Sequence, residues 1–212
     1  AVGVEIQGLE GIKRLRAGKE VIVAARTFHS PHLLLHSGIG DGGGLKEWGI
    51  TPLHHLPAVG RNLRDHPPAP IAMESDDATS YGHSLKALPR NVAQTFRYLA
   101  TRTGQYASNL FETNAYIRTL PGSDRPDLQI VFQPARRNTR PSPIPLGHGY
   151  AIVIVCLYPR STGRVTLSGP DPFALPLIDP ALGSDEVDLQ TLVRGLKMAR
   201  KIFAHESFSS YR

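Results

Sequence analysis

Apolar and polar residues alternate through residues 1–7 and more weakly through 12–16, and the run Val21-Ile22-Val23-Ala24-Ala25 is apolar without a break. Glycines at 8, 11 and 18 separate the three stretches. Alternation marks a strand with one covered face, and an unbroken β-branched run marks a strand covered on both. The pattern therefore predicts a strand meander feeding a buried strand at 20–25. Ser30-Pro31 predicts a helix start, the serine capping free amides and the proline standing where no amide partner is needed. Leu33, Leu34 and Leu35 give this helix an apolar body, and Gly38 ends it.

From Gly38 to Pro70 the periodicity fades in a stretch rich in Gly, Pro and His, which predicts a long surface crossing. Residues 91–101 regain helical spacing, with Val92, Phe96 and Leu99 on one face. Strands are predicted over 111–118, 128–132, 151–158 and 164–167, the last two joined by a hairpin-sized turn at 159–163. Ser184 is placed to cap a final helix in which Leu192, Leu196, Ala199 and Phe203 recur at spacings of three and four. Gly195 inside that helix costs about 1 kcal/mol relative to alanine. Antiparallel strands with helices on one side describe an α+β layer.

The 212 residues are 41% hydrophobic and 20% charged, the range of a globular and not of a disordered chain. No apolar run approaches the ~20 residues of a membrane helix, so no membrane span is expected. The formal charge of +6 raises nucleic acid as a partner. However, the densest basic cluster, Arg136, Arg137 and Arg140, stands among prolines without interleaved aromatics, which points to a solvated basic surface and to no nucleic-acid partner. Cys156 is the single cysteine, which excludes an intrachain disulfide and a cysteine-built zinc site. A lone thiol fits a reducing compartment, and the first residues lack the features of a secretory signal, so a cytoplasmic location is favoured.

Gly38-Ile39-Gly40-Asp41-Gly42-Gly43 spells GxGxxG, with Asp65 further on. The motif needs a buried strand before it and a supporting helix after it. The preceding residues read as a helix instead, and Leu45-Lys46-Glu47-Trp48 runs into Gly49 and Pro52 too soon. His29, His32 and His36 are spaced by three and four, but no glutamate stands between the last two as in a zinc-binding HExxH, and no metal site is expected. His54-His55 and His66 lie in the irregular stretch. No serine occupies a GxSxG elbow, and a spatial Ser-His-Asp set is beyond what sequence can show.

Several blocks, in order, resemble one family. Residues 21–40 are similar to the second signature of the glucose–methanol–choline (GMC) oxidoreductases, and the likeness continues through 45–49, 56–67, 125–129, 159–167 and 178–180. The resemblance implies an antiparallel substrate-domain sheet with flanking helices at 67–212, incomplete at its C-terminus, preceded by a partial α/β FAD-domain segment at 1–66. It implies FAD as cofactor, hydride transfer from a primary alcohol, and a catalytic His beyond this chain, so no catalytic residue is assigned within it. The chain then reads as an internal piece of a longer enzyme, completed by missing segments or a complementing chain. By itself it is expected to be inactive and to bind FAD weakly or not at all. The alternative is a non-catalytic binding module derived from the substrate domain.

Residue by residue, Ala25-Arg26-Thr27 matches the family's Ala-Gly-Ala turn, with Arg26 in the glycine position, where a Cβ disfavours positive φ. Asn62 and His66 belong to the crossing beside the flavin, and Ala25 and Thr27 join them as the expected cofactor-binding residues. Pro68 stands where choline-oxidising relatives carry a glutamate, and Val131 near a position where they carry a histidine. Pro68, Gln129, Val131 and Phe132 are the expected substrate-contacting residues. Without a carboxylate to hold a quaternary ammonium, the substrate implied is a neutral or aromatic alcohol.

Overall fold

Among the described residues the strands and α-helices run in the order β1 (Gly3–Gly8), β2 (Gly11–Arg16), α1 (Arg26–His36), β3 (Ile39–Gly40), α2 (Gly42–Glu47), β4 (His54–His55), β5 (Arg61–Leu63) and β6 (Pro68–Ser75), followed by α3 (Leu88–Thr101), β7 (Thr113–Ile117), β8 (Leu128–Gln133), β9 (His148–Cys156), β10 (Gly163–Thr166), β11 (Leu177–Asp179) and α4 (Glu186–Ala204). The computed structural model describes residues 1–136 and 146–211; Arg137 and Arg140 of the basic cluster lie outside the described residues. Contacts divide the chain into two units, one of Ala1–Leu63 with Thr162–Pro180, the other of Arg64–Ser161 with the chain from Ala181 onward. The sequence reading placed the boundary at 66/67 and ran the second unit without interruption. Instead, β10 and β11 return to the first unit, because β10 pairs with β5 and β11.

In the first unit β1 and β2 form an antiparallel hairpin closing at Gly8↔Gly11, where Gly11 takes a φ of 103°. The short β3 and β4 pair in parallel, so the crossing predicted from Gly38 onward contains local structure. Leu35, Leu45 and Leu167 form the core, with Ile50 and Val59 packed against it. The buried strand predicted at 20–25 does not form, and Ile22 is 80% exposed. A strand exists only where a neighbour takes its backbone hydrogen bonds, and no described strand pairs with this segment. α1 begins at Arg26, four residues ahead of the predicted Ser30, and Ala25 makes no side-chain cap. Pro31 lies within it; so near the N-terminus a missing N–H forfeits one bond, to Thr27, and the helix survives.

The second unit is built on a four-stranded antiparallel sheet in the order β6-β9-β8-β7. Strand period 2 puts Leu128, Ile130 and Phe132 of β8 and Tyr150, Ile152 and Ile154 of β9 on one face, where Ala199 and Phe203 of α4 pack. The face predicted for the last helix from Leu192, Leu196, Ala199 and Phe203 is the one it buries. Its N-cap is Asp185, which accepts from the Val187 amide at 2.8 Å, one residue past the predicted Ser184. Gly195 faces the sheet, and a Cβ there would stand 2.5 Å from Ile154 Cγ2 and 2.7 Å from Leu128 Cδ2. The helical cost of this glycine is thus offset by close approach to the sheet. α3 forms as predicted, but Val92, Phe96 and Leu99 are exposed and Asn91 is the residue it buries, donating to Gly82 O at 3.0 Å.

The predicted hairpin between 151–158 and 164–167 is absent, since β9 and β10 lie in different sheets. Asp188, in the first turn of α4 and 1% exposed, explains the departure. Its carboxylate accepts from Arg160 N at 2.9 Å, Ser161 N at 2.8 Å and Ser161 Oγ at 2.6 Å, and so holds the backbone as it leaves β9. Burial alone would raise this carboxyl's pKa. The hydrogen bonds from Ser161 and Arg160 outweigh that and hold it below the ordinary value.

Two stability predictions follow from α4. Gly195→Ala should destabilise by about 1–3 kcal/mol despite its better helix propensity, because the sheet cannot yield to the methyl; thermal unfolding reads this as a lowered midpoint, and an unchanged midpoint would contradict the close packing. Asp188 binds protons less readily folded than unfolded, so its contribution is present above the ordinary carboxylate pKa and lost as pH falls through the lower folded value. Asp188→Ala should therefore cost about 3 kcal/mol near neutrality and progressively less in acid, as measured by denaturant titrations across that range.

Candidate functional site

With α4 covering one face of the second unit's sheet, alternation puts a second set of side chains on the opposite face. Register fixes its residues: Pro68, Pro70 and Ala72 of β6, Val155, Val153 and Ala151 of β9, Val131 and Gln129 of β8, and Asn114 and Tyr116 of β7. The floor is small and apolar, with Ala151, Val131 and Val153 all buried. At one side Gln129 Nε2 donates to Asn114 Oδ1 at 2.8 Å and to Tyr116 Oη at 3.3 Å. Both amide protons are used, and no described donor reaches Oε1, so that oxygen is free to accept from a hydroxyl. Glu74 is the one acid that the four strands place on this face, and Arg136 pairs with it at 2.5 Å. The face is thus neutral, with a fixed acceptor beside an aliphatic floor.

Of the expected substrate residues, Pro68, Gln129 and Val131 meet here, with Pro68 and Gln129 flanking Val155 on neighbouring strands. Phe132 does not join them. One residue along a strand reverses the side chain, and Phe132 lies on the α4 side, its ring 6.0 Å from Tyr150 and 6.1 Å from Phe208. Asn114 and Tyr116 were missed, because their approach to Gln129 depends on cross-strand register; the one signal was their alternate spacing within 111–118. His66, exposed, lies two residues before Pro68, and its amide donates to Asp65 Oδ1 at 2.8 Å.

The other expected cofactor residues belong to the first unit. Ala25 is half-buried before α1, Thr27 is exposed in its first turn, and Asn62 is exposed in β5 with a φ of 58°. Arg26, expected to resist the conformation of a glycine, has a φ of 63°. The turn keeps the backbone that close approach to a cofactor needs and adds an exposed side chain, so the fit is of conformation and not of bulk. The segment Gly38–Gly43 does not fit a diphosphate. β3 is two residues long and α2 is six, and two local amides are engaged: Gly44 N donates to Asp41 Oδ2 at 3.3 Å and Gly42 N to His55 Nδ1 at 3.1 Å.

His32 and His36 share a face of α1 with their Nε2 atoms 3.2 Å apart. Burial, reinforced for His32 by its histidine neighbours, holds both rings below the ordinary imidazole pKa, although Asp171 opposes this at His36. A further set absent from the sequence reading is His148, whose ring nitrogens lie 2.8 Å from Ser84 Oγ and 3.3 Å from Ser80 Oγ. The ring is buried and held between two hydroxyls, where a nucleophile's base needs an orienting carboxylate. This arrangement pins residues 80–84 to β9 and suits no hydrolysis.

Comparison with known proteins places these features in context. Family models described as GMC oxidoreductase match residues 1–68 and 159–211. An alcohol dehydrogenase [acceptor] of Pseudomonas putida is 36% identical over 192 residues, covering 91% of this chain and 35% of the relative. An oxygen-dependent choline dehydrogenase of Rhizobium etli is 34% identical over 212 residues, covering 100% and 38%. A solved formate oxidase superposes with a TM-score of 0.85 at 25% identity, covering 99% of this chain and 41% of its own; a second such structure concerns FAD modification in the Aspergillus oryzae enzyme. The chain thus spans 35–38% of the length of these two sequence relatives.

The left-handed backbone at Arg26 makes a prediction independent of any ligand. Arg26→Gly should leave stability unchanged or raise it by up to about 1 kcal/mol, whereas a β-branched Val should lower it by about 1–2 kcal/mol. Thermal unfolding of the two variants checks this, and equal midpoints would count against the conformation.

Proposed function

The chain belongs to the GMC oxidoreductases, and from that premise we propose that it is the part of an FAD-dependent alcohol oxidase or dehydrogenase that carries the wall of the alcohol pocket. The first unit is part of the FAD-binding domain, with Ala25, Thr27 and Asn62 as its cofactor-contacting residues, and His66 is the cofactor-contacting residue of the second unit. The second unit binds and orients the alcohol. Bound FAD would supply the hydride acceptor, the protein's part being position and electrostatics. No residue of this chain is assigned to the proton transfer. Completion of the site falls to flanking segments or a complementing chain, and the 212 residues alone are expected to turn over no alcohol.

The observation that carries this reading is the neutral set of side chains opposite α4. The exposed Pro68, Pro70 and Ala72, set beside the buried Val131 and Val153, would take the alcohol's carbon chain, and Gln129 Oε1 would accept from a hydroxyl. The one acid on the face, Glu74, is neutralised by Arg136, so nothing there repays the desolvation of a quaternary ammonium. A neutral primary alcohol, aliphatic or aromatic, is the substrate class that fits. A second reading, a non-catalytic binding module, draws on Arg26 in a position where relatives carry glycine.

Pro68→Glu in the complete enzyme tests the assignment. The natural enzyme should oxidise benzyl alcohol in preference to choline. The variant should raise the choline to benzyl alcohol ratio of kcat/KM by about tenfold or more, through KM for choline, because it adds a partner for the cation. A natural preference for choline, or a ratio unmoved by the variant, would overturn the proposed pocket. Absence of any alcohol-dependent flavin reduction would favour the non-catalytic reading.

A further inference from the structure

Two of the three histidines of α1 meet. His32 and His36 stand one turn apart, with their Nε2 atoms 3.2 Å apart, ring centroids 4.6 Å apart and ring planes at 90°. At that distance one facing nitrogen donates to the other. A single hydrogen between them serves whether both rings are neutral or one is charged, because the accepting ring then keeps its own proton on Nδ1. With both rings charged, each facing nitrogen carries a hydrogen and neither can accept. The contact is therefore compatible with one added proton and incompatible with two.

The surroundings decide which ring charges first. His36 is the last residue of α1, where the carbonyl end of a helix favours a cation. Burial holds its imidazole below the ordinary pKa, and the Asp171 carboxylate works against that. His32 lies inside the helix and is 7% exposed; burial disfavours its charge, and His36 and His29 disfavour it further. The remaining charges nearby are occupied or turned elsewhere. Within α1 the other cation is Arg26, in the first turn. Of the strands packed against α1, β3 holds no titratable residue, and β10 holds Arg164, which pairs with Asp179 at 3.6 Å. On the Leu35 side, Asp41 and Glu47 line a separate cavity together with Arg61 and Arg164.

We propose that His32 and His36 form an acid-sensitive latch on α1: the pair stays closed with one proton added, and a second proton parts the rings and frees the last turn of the helix. That turn anchors the crossing which follows it. Ser37 N donates to Leu33 O at 3.0 Å, Gly38 N to Leu35 O at 3.0 Å, and Gly38 O accepts from Leu53 N at 2.7 Å and His54 N at 3.1 Å. The folded pair binds protons less readily than the unfolded chain does. Its contribution to stability is therefore full above the ordinary imidazole pKa and is lost as pH falls through that value toward the lower folded ones. The inference does not rest on the alcohol pocket, and its test uses neither cofactor nor turnover.

NMR titration of the imidazole signals of the chain, from about pH 8 to about pH 4.5, gives the test, with His32→Gln and His36→Gln assigning the two rings. His36 is expected to titrate before His32. His36→Gln should move the His32 midpoint up, and Asp171→Asn should move the His36 midpoint down. Hydrogen exchange over the same range, corrected for its intrinsic pH dependence, should show the amides of His36, Ser37 and Gly38 losing about tenfold or more of their protection, while those of α4 keep theirs. His36→Gln should remove most of that loss. A His32 midpoint unmoved by His36→Gln, or helix-end amides equally protected at both ends of the range, would overturn the proposal. Circular dichroism checks that each variant folds. Asp171→Asn leaves both rings in place, so an unmoved His36 midpoint in that variant would overturn the proposal even if the glutamine variants failed to fold.

Discussion

Helix α4 lies against the four-stranded sheet at a separation that a glycine permits, and much of the second unit follows from that seam. With Gly195 set against Ile154 and Leu128, the helix buries Ala199 and Phe203 and covers one face of β8 and β9. Because side chains alternate along a strand, covering Leu128, Ile130 and Phe132 forces Gln129 and Val131 onto the opposite face. The packing of the core therefore decides which residues remain to meet a ligand. A register shift of one residue would present Phe132 and withdraw Gln129.

The same helix governs where the chain goes next. Asp188 buries a charge, which is tolerable only because its lone pairs are filled by two backbone amides and a hydroxyl. Those amides belong to residues 160 and 161, so the carboxylate ends β9 and replaces a local hairpin with an exit from the sheet. Arg160 is held in the process. One buried acid thus sets where the chain leaves the sheet.

The likeness to GMC oxidoreductases carries the family and the fold; the residues carry the chemistry. What the second unit offers is a face with one fixed acceptor, small apolar residues and a neutralised acid, the features on which the proposed alcohol pocket rests. What the first unit offers is a turn whose backbone follows glycine geometry around an arginine. The Gly-rich segment contributes neither, because the strand before it is two residues long and the helix after it six, and Asp41 and His55 engage the Gly44 and Gly42 amides.

The sequence by itself determined the strands β1, β2 and β7 to β10, the helix α3 and the buried stripe of α4, each of which carries a clear local period. It also determined the family, since several blocks stand in order. It misplaced the elements whose partners it could not see. The apolar run 21–25 has strand composition but pairs with no described strand, and the apolar residues Val92, Phe96 and Leu99 of α3 are exposed. Only the tertiary structure decided that Phe132 turns away from Gln129, that Asn114 and Tyr116 hold the Gln129 amide, and that Asp188 carries the chain out of β9. Each depends on cross-strand register or on a contact between residues far apart in sequence, and such pairings are fixed by packing, which local periodicity does not encode.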